Sequence, residues 1–100
     1  MVSLEELCKF KQTYGKEIPA EVHETLVYVH TSSLVDLWLA CLYEKGHKGF
    51  VPRKEILKEI QNLGGYVDFK ISKRIDGRLW RCAVFHKDTM PPELLTMLKQ

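Results

Sequence analysis

The alternation of hydrophobic and polar residues is clearest over Tyr66–Lys87, where it predicts a long β-hairpin. Asp76-Gly77 supplies a two-residue turn, because both residue types tolerate the positive φ angles of a type I′ turn. Counting outward from this turn predicts three cross-strand pairs: Ile71 with Cys82, Phe69 with Val84, and Val67 with His86. The apolar face that these positions predict consists of Val67, Phe69, Ile71, Trp80, Cys82 and Val84.

Apolar residues recur at helical spacing in five further stretches of the chain. Ser3 and Glu6 form a capping box at the start of the first stretch, and Gly15 marks its end. Val22, Leu26 and Val29 give the second stretch an apolar stripe. The predicted helices are 1–15, Pro19–His30, Ser33–Lys45, Pro52–Leu63 and 91–100. The chain is therefore expected to be a single α+β domain over residues 1–100.

Charge is distributed unevenly along the 100 residues. Residues 1–50 carry five Lys against seven Asp or Glu, a net −2, whereas residues 51–100 carry ten Lys or Arg against six, a net +4. The four arginines all lie between Arg53 and Arg81. The planar guanidinium suits phosphate, so this distribution is compatible with an anionic partner, although most surface charges are simply solvated.

The tip of the hairpin is the most basic part of the chain, with Lys73, Arg74, Arg78 and Arg81 clustered around the turn. Trp80 lies one pair from this tip, opposite Lys73. Its ring either packs beneath the lysine stem or stacks on a nucleic-acid base.

Catalytic, metal-binding and membrane-spanning motifs are not recognisable in the sequence. Cys8, Cys41 and Cys82 are far apart and lack a CxxC spacing, which favours buried thiols over a disulfide or a zinc site. No cofactor is indicated, and we expect a cytoplasmic protein that is not an enzyme.

Helices followed by a long hairpin with a basic tip resemble the winged helix-turn-helix family over residues 19–87, by element order. Pro19–His30 would be the first helix, Ser33–Lys45 the second, Pro52–Leu63 the recognition helix and Tyr66–Lys87 the wing. The link Gly46–Val51 is longer than the three- or four-residue turn that usually joins the second and third helices. Small basic members of this family are common among archaeal, viral and plasmid regulators.

The resemblance implies a small transcriptional regulator that binds double-stranded DNA. The side chains that would face the major groove are Arg53, Lys54, Lys58 and Gln61. The wing contacts would be Lys73, Arg74, Arg78 and Arg81. A protein-interaction module without DNA binding is the alternative, since winged-helix folds serve both roles.

The apolar residues at the two ends of the chain permit two interpretations. They are Leu4, Leu7, Cys8 and Phe10 near the N-terminus, and Leu94, Leu95, Met97 and Leu98 near the C-terminus. We expect a homodimer, because pairing would present two recognition helices to neighbouring turns of the groove. The apolar ends either form the interface of this dimer or enlarge the core of one chain.

Overall fold

A computed structural model describes residues 2–99, and these form four helices and four strands. In chain order they are α1 (Leu4–Tyr14), β1 (Ala20–His23), β2 (Leu26–His30), α2 (Thr31–Glu44), α3 (Arg53–Gln61), β3 (Tyr66–Ile75), β4 (Arg78–His86) and α4 (Pro92–Leu98). The four strands make one antiparallel sheet in the order β1-β2-β4-β3. The predicted α+β class is confirmed. No helix within residues 2–99 has the length and apolar character needed to cross a bilayer.

The prediction of a helix over Pro19–His30 is wrong, because this segment forms the β1–β2 hairpin. Its residues support either structure locally: the stripe noted above suits a helix, whereas Val27 and Val29 alternate as in a strand. The turn between the strands contains neither Gly nor Asn, and Glu24 adopts a φ of 55° there. No turn signal therefore marks the hairpin in the sequence.

The other predicted helices are present, with shifted ends. α1 has the predicted capping box and ends at Gly15, whose φ is 80°. α2 follows β2 without a loop, and α3 begins after Pro52, which adopts extended backbone angles. α4 has Pro92 in its first turn.

The hairpin β3–β4 turns at Asp76-Gly77 as predicted, with φ angles of 50° and 81°. Ile71 lies opposite Cys82, which confirms one predicted pair. The other two pairs are wrong, because β3 has register shifts on both sides of Asp68. The observed partners there are Asp68 with Val84 and Tyr66 with Phe85. β3 is an edge strand, where bulges are most readily accommodated.

The main core lies between the helices and one face of the sheet. β2 supplies Val27 and Val29 to it, and β4 supplies Ala83 and Phe85. This corrects the predicted apolar face, since Val67 and Ile71 are exposed. Cys82 and Val84 are buried on the opposite face, next to His30 and Tyr28 of β2. The run from Cys82 to Phe85 is apolar on both sides, so alternation alone does not identify its core side.

Trp38 belongs to the core and is 2% exposed. Its Nε1 is buried without a hydrogen-bond partner among the described residues.

The terminal helices α1 and α4 pack against each other within the chain. Leu7, Leu94 and Met97 are fully buried, and the Cys8 thiol donates a hydrogen bond of 3.1 Å to the Glu93 carbonyl. Of the two interpretations of these apolar ends, the structure favours an enlarged core.

Candidate nucleic-acid interface

The basic residues of the hairpin tip are divided between its two faces by strand alternation. Arg81 continues the side of β4 that carries Ala83 and Phe85. We call the positions Ser72, Arg74, Leu79 and Arg81 the Arg81 face. The Trp80 face consists of Lys73, Ile75, Arg78 and Trp80. The predicted wing cluster is therefore two pairs of cations, not one patch.

The cations of the Trp80 face are held by contacts within the protein. Lys73 Nζ lies 3.2 Å from a carboxylate oxygen of Glu21 and 5.0 Å from the centre of the Tyr28 ring. The Arg78 guanidinium lies 4.3 Å from the centre of the Trp80 ring. These contacts cover apolar surface and reduce the attraction of both cations for phosphate.

The Trp80 ring packs against the His30 ring, a contact that the sequence does not predict. The two ring centres lie 4.4 Å apart. The segment with the wrong helix prediction contains His30, and also Glu21 and Tyr28, which contact Lys73. A helix there would not pair with β4, so the sequence does not predict these contacts. Lys73, whose stem was one of the two alternatives for covering Trp80, places its Nζ over the Tyr28 ring.

The Arg81 face is open by comparison. Arg74, Leu79 and Arg81 are exposed, and Leu79 retains 62% of its surface. The Arg74 guanidinium donates a hydrogen bond of 2.9 Å to the Gly77 carbonyl at the turn. This bond orients the side chain without neutralising its charge, so Arg74 and Arg81 remain the cations of the tip best suited to an anion.

α3 presents three of its four predicted contact residues to solvent. Arg53, Lys54 and Lys58 are exposed, whereas Ile56 and Ile60 are fully buried on the other side of the helix. Arg53 Nη1 lies 3.2 Å from Asp36 of α2, and Lys58 Nζ lies 3.9 Å from Glu55. Both pairs are largely solvated and are therefore weak.

Gln61 is the exception among these residues, because it is half-buried beside Tyr66. The pKa of Tyr66 is raised, chiefly by burial and further by the charge of Asp68, while a hydrogen bond with Gln61 acts in the opposite direction. Gln61 thus supports the junction of α3 with β3 and is poorly placed to read a base.

His30 occupies the junction between β2 and α2. Its Nδ1 lies 2.6 Å from the Ser33 hydroxyl. Burial lowers the pKa of His30; Asp36 raises it in partial opposition, and Arg78 lowers it further. Protonation of this ring therefore opposes folding.

We expect stability to fall as the pH decreases from about 7 to about 5.5, because the unfolded chain protonates His30 near its ordinary pKa of about 6.5 whereas the folded chain resists protonation. Urea unfolding across this interval measures the change. His30→Gln should flatten the dependence, because it removes the group whose protonation the folded chain resists. Equal slopes for the wild type and His30→Gln would contradict the assignment.

The three cysteines are in poor positions for nucleophilic chemistry. Burial is the largest cause of the raised pKa of Cys8, Cys41 and Cys82, and a raised pKa disfavours the reactive thiolate. Within residues 2–99, no group of three His, Cys, Asp or Glu side chains is arranged to hold a metal ion.

No protein-family profile, curated protein or solved structure matches this chain.

Proposed function

We propose that this protein binds double-stranded DNA as a winged-helix protein, and that it is a small transcriptional regulator. α3 would lie in the major groove, and the hairpin β3–β4 would be the wing. The observation that carries this proposal is the set of exposed cations on α3 and on the Arg81 face of the hairpin.

The order of the elements supports the winged-helix assignment, with a first helix different from the predicted one. α1 takes the place of the first helix, and β2 forms the short strand between the first and second helices. β2 pairs with β4, which in turn pairs with β3. A winged helix has this arrangement: a helix, a short strand, two helices and a hairpin, with the short strand beside the second strand of the hairpin. β1 and α4 are additions to it.

The charges support a phosphate contact. Five exposed cations are available on α3 and the Arg81 face: Arg53, Lys54, Lys58, Arg74 and Arg81. If each displaces a counterion, log K should fall with log salt with a slope of about −4 to −5. Fluorescence anisotropy with a labelled random duplex, titrated at salt concentrations from about 50 to 200 mM, measures this slope. Absence of binding at the lowest salt concentration would overturn the proposal.

Lys58→Ala tests the role of α3. Loss of one phosphate contact should reduce the salt slope by about 0.9, whereas loss of a base contact should change discrimination between sequences by about 1–3 kcal/mol. Lys9→Ala is a matched control, because Lys9 and Lys58 each lie 3.9 Å from a glutamate of their own helix. Identical DNA binding by the two variants would exclude α3 from the interface.

A further inference from the structure

Phe50 is the most exposed large hydrophobic side chain in the part of the chain that the structure describes, with 85% of its surface open to solvent. It lies in the link between α2 and α3, three residues before Arg53. The next most exposed, Leu79, retains 62%. A single exposed apolar residue is ordinary, but a phenylalanine with so little contact contributes almost nothing to the core.

The charges around Phe50 indicate what kind of partner would cover it. Residues 45–54 contain Lys45, Lys48, Arg53 and Lys54, and no Asp or Glu. Lys45 lies 3.3 Å from Glu6 of α1, and Arg53 pairs with Asp36 as described above. Lys48 and Lys54 are exposed close to Phe50 in sequence. An aromatic ring within a run of cations matches a polyanion that also offers flat apolar faces, which describes a nucleic acid.

We propose that Phe50 stacks on a nucleobase of the DNA that α3 binds. The inference rests on the proposed function and adds to it a contact that the resemblance to winged-helix proteins did not supply. Because the link joins directly to α3, a helix that is seated on DNA brings Phe50 to the same nucleic acid. Insertion of a ring between bases, or stacking on a base that is unpaired, would remove its apolar surface from water.

Phe50→Ala should weaken binding by about 5- to 150-fold, the equivalent of one lost base–aromatic stack. The salt slope should not change, because no charge is removed. Phe50→Trp should restore affinity, since indole offers a larger stacking face. Val22→Ala is the matched control, because Val22 is also exposed but lies far from α3. Val22 is on β1 at one edge of the sheet, whereas α3 packs against β3 at the other edge. The folded state should tolerate each substitution, since all of these side chains are exposed.

Two labelled probes, a random duplex and one of its single strands, distinguish the source of the base. A loss of affinity in both shows that Phe50 reaches bases within a duplex, and a loss confined to the single strand shows that it needs an unpaired base. Wild-type affinity of Phe50→Ala for both probes would overturn the inference while leaving the proposed function intact. If Phe50→Ala sediments more slowly than the wild type but binds DNA with the same affinity, the inference is also overturned, and Phe50 is assigned to self-association. Failure of the wild type to bind the duplex would overturn the proposed function itself.

Discussion

Gly65→Ala is expected to lower the free energy of unfolding by about 2–5 kcal/mol, the sum of backbone strain and overpacking. Gly65 has a φ of 77°, and a Cβ at this position would lie 2.8 Å from the Met90 nitrogen and 2.9 Å from the His86 carbonyl oxygen. Both are backbone atoms, so neither can move aside as the end of a flexible side chain would. The Gly65 carbonyl also accepts a hydrogen bond of 2.7 Å from the His86 nitrogen, at the base of the β3–β4 hairpin. Urea unfolding of the two proteins measures the difference.

Gly77→Ala provides the matched control, because Gly77 has a φ of 81° but no atom within 4 Å of an added Cβ. Only the left-handed backbone opposes this change, so we expect a loss of about 1–2 kcal/mol. Equal losses at the two glycines would show that the close approach between Gly65 and the segment after β4 is not maintained in solution.

Arg74→Ala combined with Arg81→Ala is expected to weaken binding to all duplex sequences by about a hundredfold at 0.1 M salt, if each arginine contacts one phosphate. The salt slope should decrease by about 1.8, and discrimination between sequences should not change, because phosphates carry no sequence information. Stability should change by less than about 0.5 kcal/mol, since both side chains are exposed. Anisotropy titrations over a range of salt concentrations measure the affinity and the slope together.

The double variant Lys73→Ala, Arg78→Ala removes the same charge from the Trp80 face and is the control. Its effect on DNA binding should be much smaller, because Lys73 is paired with Glu21 and Arg78 stacks on Trp80. Its effect on stability should be the larger one, because those contacts cover apolar surface. Equal losses of affinity in the two double variants would contradict the assignment of DNA binding to the Arg81 face and not to the Trp80 face.

The candidate interface was only partly predictable. The exposed cations of α3 follow from its amphipathic pattern, since Ile56 and Ile60 determine which side is buried. The division of the tip cations was not predicted, although alternation from the confirmed Ile71–Cys82 pair was available in the sequence. The partners of Lys73 could not be predicted, because Glu21 and Tyr28 lie in the segment whose pattern predicts a helix.

Local signals in the sequence determined the elements that begin and end with their own chemistry. The capping box of Ser3 and Glu6 and the stop at Gly15 define α1, and Asp76-Gly77 defines the turn of the long hairpin. Each of these signals acts over a few residues, through hydrogen bonds or φ angles that only certain side chains permit. These signals can therefore be recognised without any knowledge of the rest of the chain.

The tertiary structure decided the conformation of residues 19–30 and the side of β4 that faces the core. The stripe of Val22, Leu26 and Val29 suits a helix, whereas the alternation of Val27 and Val29 suits a strand. The pairing of Val27 with Phe85 and of Val29 with Ala83, more than fifty residues away, selects the strand. The same pairing places Phe85 beneath the helices and Cys82 on the opposite face. Strand hydrogen bonds and core burial join residues distant in sequence, so their free energy outweighs a weak local preference that no neighbouring residue reinforces.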